Sequence, residues 1–153
     1  ANLGSNLANE LKRPMKLWQG FCPTHNRILP ATIEAAKRAH PGALVVVHPE
    51  CLPKVVALAD KSLSTGGMLR FVKESECKSF IIGTESGIIH RMKLENPEKE
   101  FFPLEPDVLC PNMKKVTLED VLHSLEDMDN QVELSEELIF AAREPIERML
   151  KVR

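Results

Sequence analysis

The sequence predicts an α/β fold: a small parallel sheet with flanking helices, a three-layer αβα unit, followed by carboxy-terminal helices. Three observations lead there. The apolar runs "ALVVV" (Ala43 to Val47) and "FII" (Phe80 to Ile82) do not alternate with polar residues, as in strands buried on both faces of a parallel sheet. Helical patterns fall between the strands, in the order strand, helix, strand, helix, helix, strand, helix. Finally, 153 residues that are 43% hydrophobic are enough to bury one sizeable core.

The elements follow in order. Ser5 to Lys12 reads as a helix, broken by Pro14, and Lys16 to Gln19 as a short strand. "LPATIEAAKRAH" is a helix with Pro30 in its first turn and Ile33, Ala36 and Lys37 at helical spacing. Pro41-Gly42 supplies a turn into the strand Ala43 to Val47. Helices are expected over Pro53 to Asp60, Met68 to Glu74 and Ile88 to Leu94, with the strand Phe80 to Ile82 before the last. The proline-rich stretch 97–111 must be irregular or extended. Two amphipathic helices close the chain. Thr117 caps the first, with acids in its first turn; the second starts near Ser135 and meets Pro145, which should kink or restart it. By organisation, 1–20 reads as the end of a preceding α/β unit and a connector, 21–105 as an α/β unit, and 106–153 as a loop with terminal helices. The chain opens "ANLGSNLANELK" without an initiator methionine, so a fragment or trimmed product is expected.

A formal net charge of −2 leaves no electrostatic footprint for nucleic acid or a membrane surface. No apolar run approaches the roughly 20 residues of a membrane span, and no signal peptide is visible. Four cysteines are too few for a disulfide scaffold, so reduced thiols and a cytoplasmic location are expected.

Ligands of α/β sheets bind beyond the carboxyl ends of the strands. Cys22 with His25 follows the first expected strand, His48 and Glu50 of "HPEC" the second, and Thr84 and Glu85 of "GTESG" the third. Three strands thus deliver titratable groups to one edge, although any one of them is equally compatible with an ordinary strand-end loop. "LSTGG" places Ser64 or Thr65 at a helix start, as a plain N-cap or as an anion site; it is not a phosphate-binding P-loop. On its own, Cys22 reads as a buried hydrophobe, a nucleophile beside His25, or a metal ligand. Cysteines 22, 51, 77 and 110 form no CxxC pair, which argues against a zinc ribbon.

Five motifs, "LWQGFCPTH", "HPEC", "LSTGGM", "IIGTESGIIHR" and "LCPNMKKVTLEDV", resemble in order and spacing those of the quinolinate synthase family, as does the opening "NLG". The resemblance covers nearly the whole chain but only about the last half of the family's enzymes. It implies three α/β units about a pseudo-threefold axis, with a 4Fe–4S cluster where they meet. Cys22 and Cys110 match two cluster ligands; the third would come from the family's amino-terminal half. Cys51 and Cys77 match none.

The implied reaction condenses iminoaspartate with dihydroxyacetone phosphate and releases phosphate and water to give quinolinate, in de novo NAD biosynthesis. Three thiolates on a four-iron cluster leave one iron open as a Lewis acid. Glu50 matches the catalytic acid/base, His25 and His48 would contact substrate oxygens, and Ser64 and Thr65 would hold a phosphate or carboxylate. Glu85, His90 and Lys114 lie in matching motifs without a defined role. The stripes Leu118, Val121, Leu122, Leu125 and Ile139, Ala142, Ile146, Met149 would pack on the amino-terminal unit. Two other readings stand beside this one: a non-catalytic α/β module for an anionic metabolite with structural cysteines, and one piece of a split enzyme.

Overall fold

A computed structural model of the chain describes residues 1–104, 108–128 and 131–151. They belong to two compact units, Ala1–Pro111 and Asn112–Arg153.

The first unit is built on four strands, β1 (Leu44–Val47), β2 (Lys61–Ser62), β3 (Ser79–Gly83) and β4 (Glu100–Pro103). All pairings are parallel, in the order β2-β1-β3-β4. The two apolar runs are the central pair, with Val46 opposite Ile82 and Val45 opposite Ile81. Successive strand side chains point to opposite faces, so each run feeds two cores. Val45, Val47 and Ile81 pack with Ile28, Ile33, Cys51 and Val55 on one face. Val46, Phe80 and Ile82 pack with Met68, Val72, Ile89 and Met92 on the other. The helices packed there are α3 (Pro30–Ala39, with Ile33) and α4 (Pro53–Val56, with Val55) on the first face, and α5 (Thr65–Glu74) and α6 (Gly87–Glu95) on the second. The expected three-layer α/β architecture is what forms.

The chain leaves β1 toward β2 through α4, on one face, then returns through α5, on the other, to lay β3 on the far side of β1. The strand order therefore reverses between β1 and β3. In open α/β sheets the crevice beyond such a switch point is where ligands bind.

Several local expectations change. No strand forms over Lys16 to Gln19: the stretch is exposed, Trp18 to 86%, and joins none of the four strands of the sheet. The helix expected to reach Asp60 stops at Val56. Asp60 instead joins the sheet, its N–H donating to the Val45 carbonyl and its Oδ2 accepting from the Val45 N–H at 2.7 Å. Those bonds lead into the two-residue strand β2, which local pattern did not announce. Within the proline-rich stretch, β4 is an extended edge strand, with Pro103 at its end where no ladder donor is needed.

Two further helices precede α3: the ten-residue α1 (Asn2–Leu11), longer at its start than expected, and the four-residue α2 (Pro23–Asn26). Ser64 caps α5 by accepting from the Gly67 N–H.

The second unit carries α7 (Leu118–Asp127) and α8 (Glu136–Leu150). Thr117 and Asp120 form a reciprocal capping box, which holds the Asp120 carboxyl below its usual range through hydrogen bonds from Thr117. Ser135 caps α8 through the Leu138 N–H. Helix α8 runs on through Pro145 rather than restarting there. Proline withdraws the donor that the Ala141 carbonyl needs; both residues are exposed, so water can serve that carbonyl. No described residue of either helix is buried.

Candidate active site at the β1–β3 switch point

Three segments converge at the carboxyl ends of β1 and β3. The first is the one-turn helix α2, which begins at Pro23 with Cys22 as its N-cap. One turn brings residues three apart onto the same side, and His25 Nδ1 lies 3.2 Å from Cys22 Sγ. The second is the turn leaving β1. The His48 N–H continues the ladder to the Gly83 carbonyl, and the Cys51 N–H closes the turn on the His48 carbonyl. The Glu50 N–H donates to His48 Nδ1 at 3.3 Å. The third is the end of β3, where Thr84 Oγ1 meets His25 Nε2 at 2.8 Å. Gly83 permits this convergence: a Cβ there would stand 2.6 Å from Val47 Cγ1 and 2.7 Å from Leu104 Cδ1.

The result is compact. The His25 and His48 rings stack with centroids 4.4 Å apart. Glu50 Oε2 lies 3.5 Å from His25 Nδ1 and 3.8 Å from His48 Nδ1. Burial and the neighbouring His48 hold the His25 imidazole below its ordinary pKa against the opposing pull of Glu50; burial does the same for His48, again opposed by Glu50. Both rings are therefore neutral donors and acceptors near pH 7. Glu50 keeps about a third of its side chain in solvent. Cys51 is different. Fully buried with its thiol toward the Gly83 carbonyl, it has its pKa pushed up to about 12 by burial, and it packs as a small hydrophobe.

The turn is held from behind by α1. Buried Asn6 donates from one amide nitrogen to the carbonyls of Pro49 (2.8 Å) and Cys51 (2.9 Å), and Asn2 donates to the Glu50 carbonyl. Sequence pattern gave no sign of this clamp, whose bonded residues lie 43 positions apart; it did place Thr84 at the same sheet edge as His25, though not their contact.

Of the residues singled out from sequence, Cys22, His25, His48, Glu50 and Thr84 meet here. Ser64 lines a neighbouring cleft of about 770 Å³, together with Asn6, Pro49, Pro53, Lys61 and Ser62. Thr65 follows as the first residue of α5, exposed. Cys110 lies two residues past Val108, whose carbonyl accepts from the Ser86 N–H just beyond β3. Glu85 is buried and accepts from the Gly87 N–H at the start of α6, His90 is exposed on α6, and Lys114 lies in the second unit.

None of the four cysteines is in a disulfide. A partly exposed thiol beside an imidazole, with a second thiol on a segment anchored at the neighbouring strand end, is a donor set suited to thiolate-ligated iron. The family NadA, quinolinate synthetase A protein, matches residues 1–151. The chain belongs to this family. Its relatives include quinolinate synthases of Geobacter sp. (strain M21), 47% identical over 99% of the chain, and Thermodesulfovibrio yellowstonii, 48% identical over 95%. One from Methanoregula boonei is 46% identical over 97% of the chain. The chain spans about half the length of each of these relatives. No helix among the described residues is long and apolar enough to cross a membrane.

Proposed function

We propose that the chain is the carboxy-terminal part of a cytoplasmic quinolinate synthase, condensing iminoaspartate with dihydroxyacetone phosphate to quinolinate, phosphate and two waters in NAD biosynthesis. The observation that carries this reading is the meeting of Cys22, His25, His48 and Glu50 at the β1–β3 switch point, within a chain of this family. Cys22 and Cys110 would hold a 4Fe–4S cluster, with a third thiolate from the other half of the enzyme. Bound there, the cluster supplies a Lewis-acidic iron for substrate oxygens.

The chain's own residues do the rest. Glu50, flanked by two neutral imidazoles, takes up and returns the protons that enolisation, dehydration and ring closure require. His25, with one ring nitrogen committed to Thr84, presents the other toward Cys22 and Glu50 and so orients a substrate oxygen in one direction. His48, stacked on it, offers its free edge to a carboxylate or carbonyl. Ser64 and Thr65, at the start of α5, would take the phosphate or a carboxylate, with free backbone N–H groups behind them.

The test is Glu50→Gln in the complete enzyme, anaerobically loaded with iron and sulfide. The near-isosteric change removes proton transfer, and turnover should fall about 10²-fold or more while the iron content and visible absorption of the cluster stay. Near-normal turnover in that variant sinks the acid/base assignment.

A further inference from the structure

We propose that Cys22, His25 and Glu50 form a tridentate site for a single borderline divalent cation, of the Zn²⁺ class, in the cluster-free protein. The ligand atoms are one thiolate sulfur, one imidazole nitrogen and one carboxylate oxygen, all within 4.8 Å of one another. Zinc bonds of about 2.3 Å to sulfur and 2.0–2.1 Å to nitrogen or oxygen, at a tetrahedral angle, put sulfur and nitrogen about 3.5 Å apart and nitrogen and oxygen about 3.4 Å apart. The observed separations are 3.2 Å for Cys22 Sγ to His25 Nδ1 and 3.5 Å for His25 Nδ1 to Glu50 Oε2. Two sides of the coordination triangle are thus already set, and the partly exposed Glu50 carboxylate closes the third by a small rotation.

The surroundings fit a metal site in three further respects. His25 Nε2 rests on Thr84 Oγ1, the arrangement in which an outer partner fixes a ligating imidazole's tautomer and angle. One thiolate and one carboxylate neutralise a divalent charge. Cys22 and Glu50 both reach solvent, leaving a fourth position open to water. His48 lies outside this group of ligand atoms, and its Nδ1 accepts the Glu50 N–H. The site shares Cys22 with the proposed cluster but does not use Cys110, so a single bound cation and the cluster exclude one another.

The experiment titrates Co²⁺ alone into the reduced, metal-free 153-residue chain under anaerobic conditions. Absorption reads the thiolate-to-cobalt charge transfer and the d–d bands, and circular dichroism checks the fold of each variant. The expected result is one Co²⁺ per chain, four-coordinate with a single sulfur, displaced by Zn²⁺. Cys22→Ser should abolish the charge-transfer band. Glu50→Gln and Thr84→Val should each weaken binding by about 10- to 100-fold, while Cys77→Ser and Cys110→Ser leave it unchanged. No charge-transfer band, a band that survives Cys22→Ser, or affinity indifferent to Glu50→Gln overturns the site. So does a band lost in Cys110→Ser. That variant also separates this inference from the proposed function: iron and sulfide loading of the complete enzyme should need Cys110, whereas Co²⁺ binding should not.

Discussion

At the residue scale, the two stacked imidazoles make a pH-dependent contribution to stability. Both are held below the ordinary imidazole value in the folded chain, chiefly by burial. The unfolded chain therefore binds protons more readily, and stability rises with pH through this window. The contribution is fully present above about pH 6.5, the unfolded value, and is lost as pH falls toward the depressed folded values. The urea midpoint of the chain should accordingly drop between about pH 7.5 and about pH 5.5. His48→Gln, which removes one of the two groups, should flatten that slope. A profile as steep in the variant as in the parent would show that other groups carry the dependence. The pairing of Cys22 with His25 was legible in sequence, since three positions across one helical turn bring side chains together. The stacking of His25 on His48 was not, because it needs two strand ends to be neighbours.

At the scale of elements, α1 acts through its asparagines. Asn6 is the donor for two carbonyls of the turn that carries Glu50, so removing its amide leaves both without that donor. Asn6→Leu, similar in size, should cost about 1–3 kcal/mol of unfolding free energy. The exposed Asn9→Leu should stay within about 0.5 kcal/mol of the parent. Equal effects of the two substitutions in denaturant unfolding would remove the clamp from the account. The helix starts, by contrast, were readable from short range. Ser64, Thr117 and Ser135 cap the helices that follow them, because an N-cap bond spans only three positions. The restart considered at Pro145 does not occur, for a related reason. A proline rule describes a lost donor and a crowded carbonyl, and on an exposed helix water can meet the first cost.

At the scale of the whole molecule, the reading commits two distant thiols to one cluster. In the loaded, complete enzyme the sulfurs of Cys22 and Cys110 should lie about 6 to 7 Å apart, the span of two ligands on a cubane, with Cys51 and Cys77 away from it. A crystal structure with the two sulfurs on opposite sides of the cluster-bearing unit would refute the assignment. We further expect the purified 153-residue chain by itself to show no quinolinate formation, since it offers two of the three proposed thiolates. Turnover by that chain alone, in a coupled assay with mass spectrometry of the sample, would refute the proposed dependence on the other half.

What the sequence alone determined was whatever local composition enforces. Unalternating apolar runs made β1 and β3 central strands buried on both faces, and caps set the helix starts. The motif order also placed the chain in its family before any geometry was known. Only the tertiary structure decided the rest. Lys61–Ser62 is a strand because β1 offers it an edge, while Lys16 to Gln19 stays exposed outside the sheet. The site owes its shape to the reversal of strand order between β1 and β3, which sets Thr84 against His25 across 59 positions. Short-range pattern fixes which segments can bury their side chains, whereas a backbone or polar group finds its partner only once distant segments have packed.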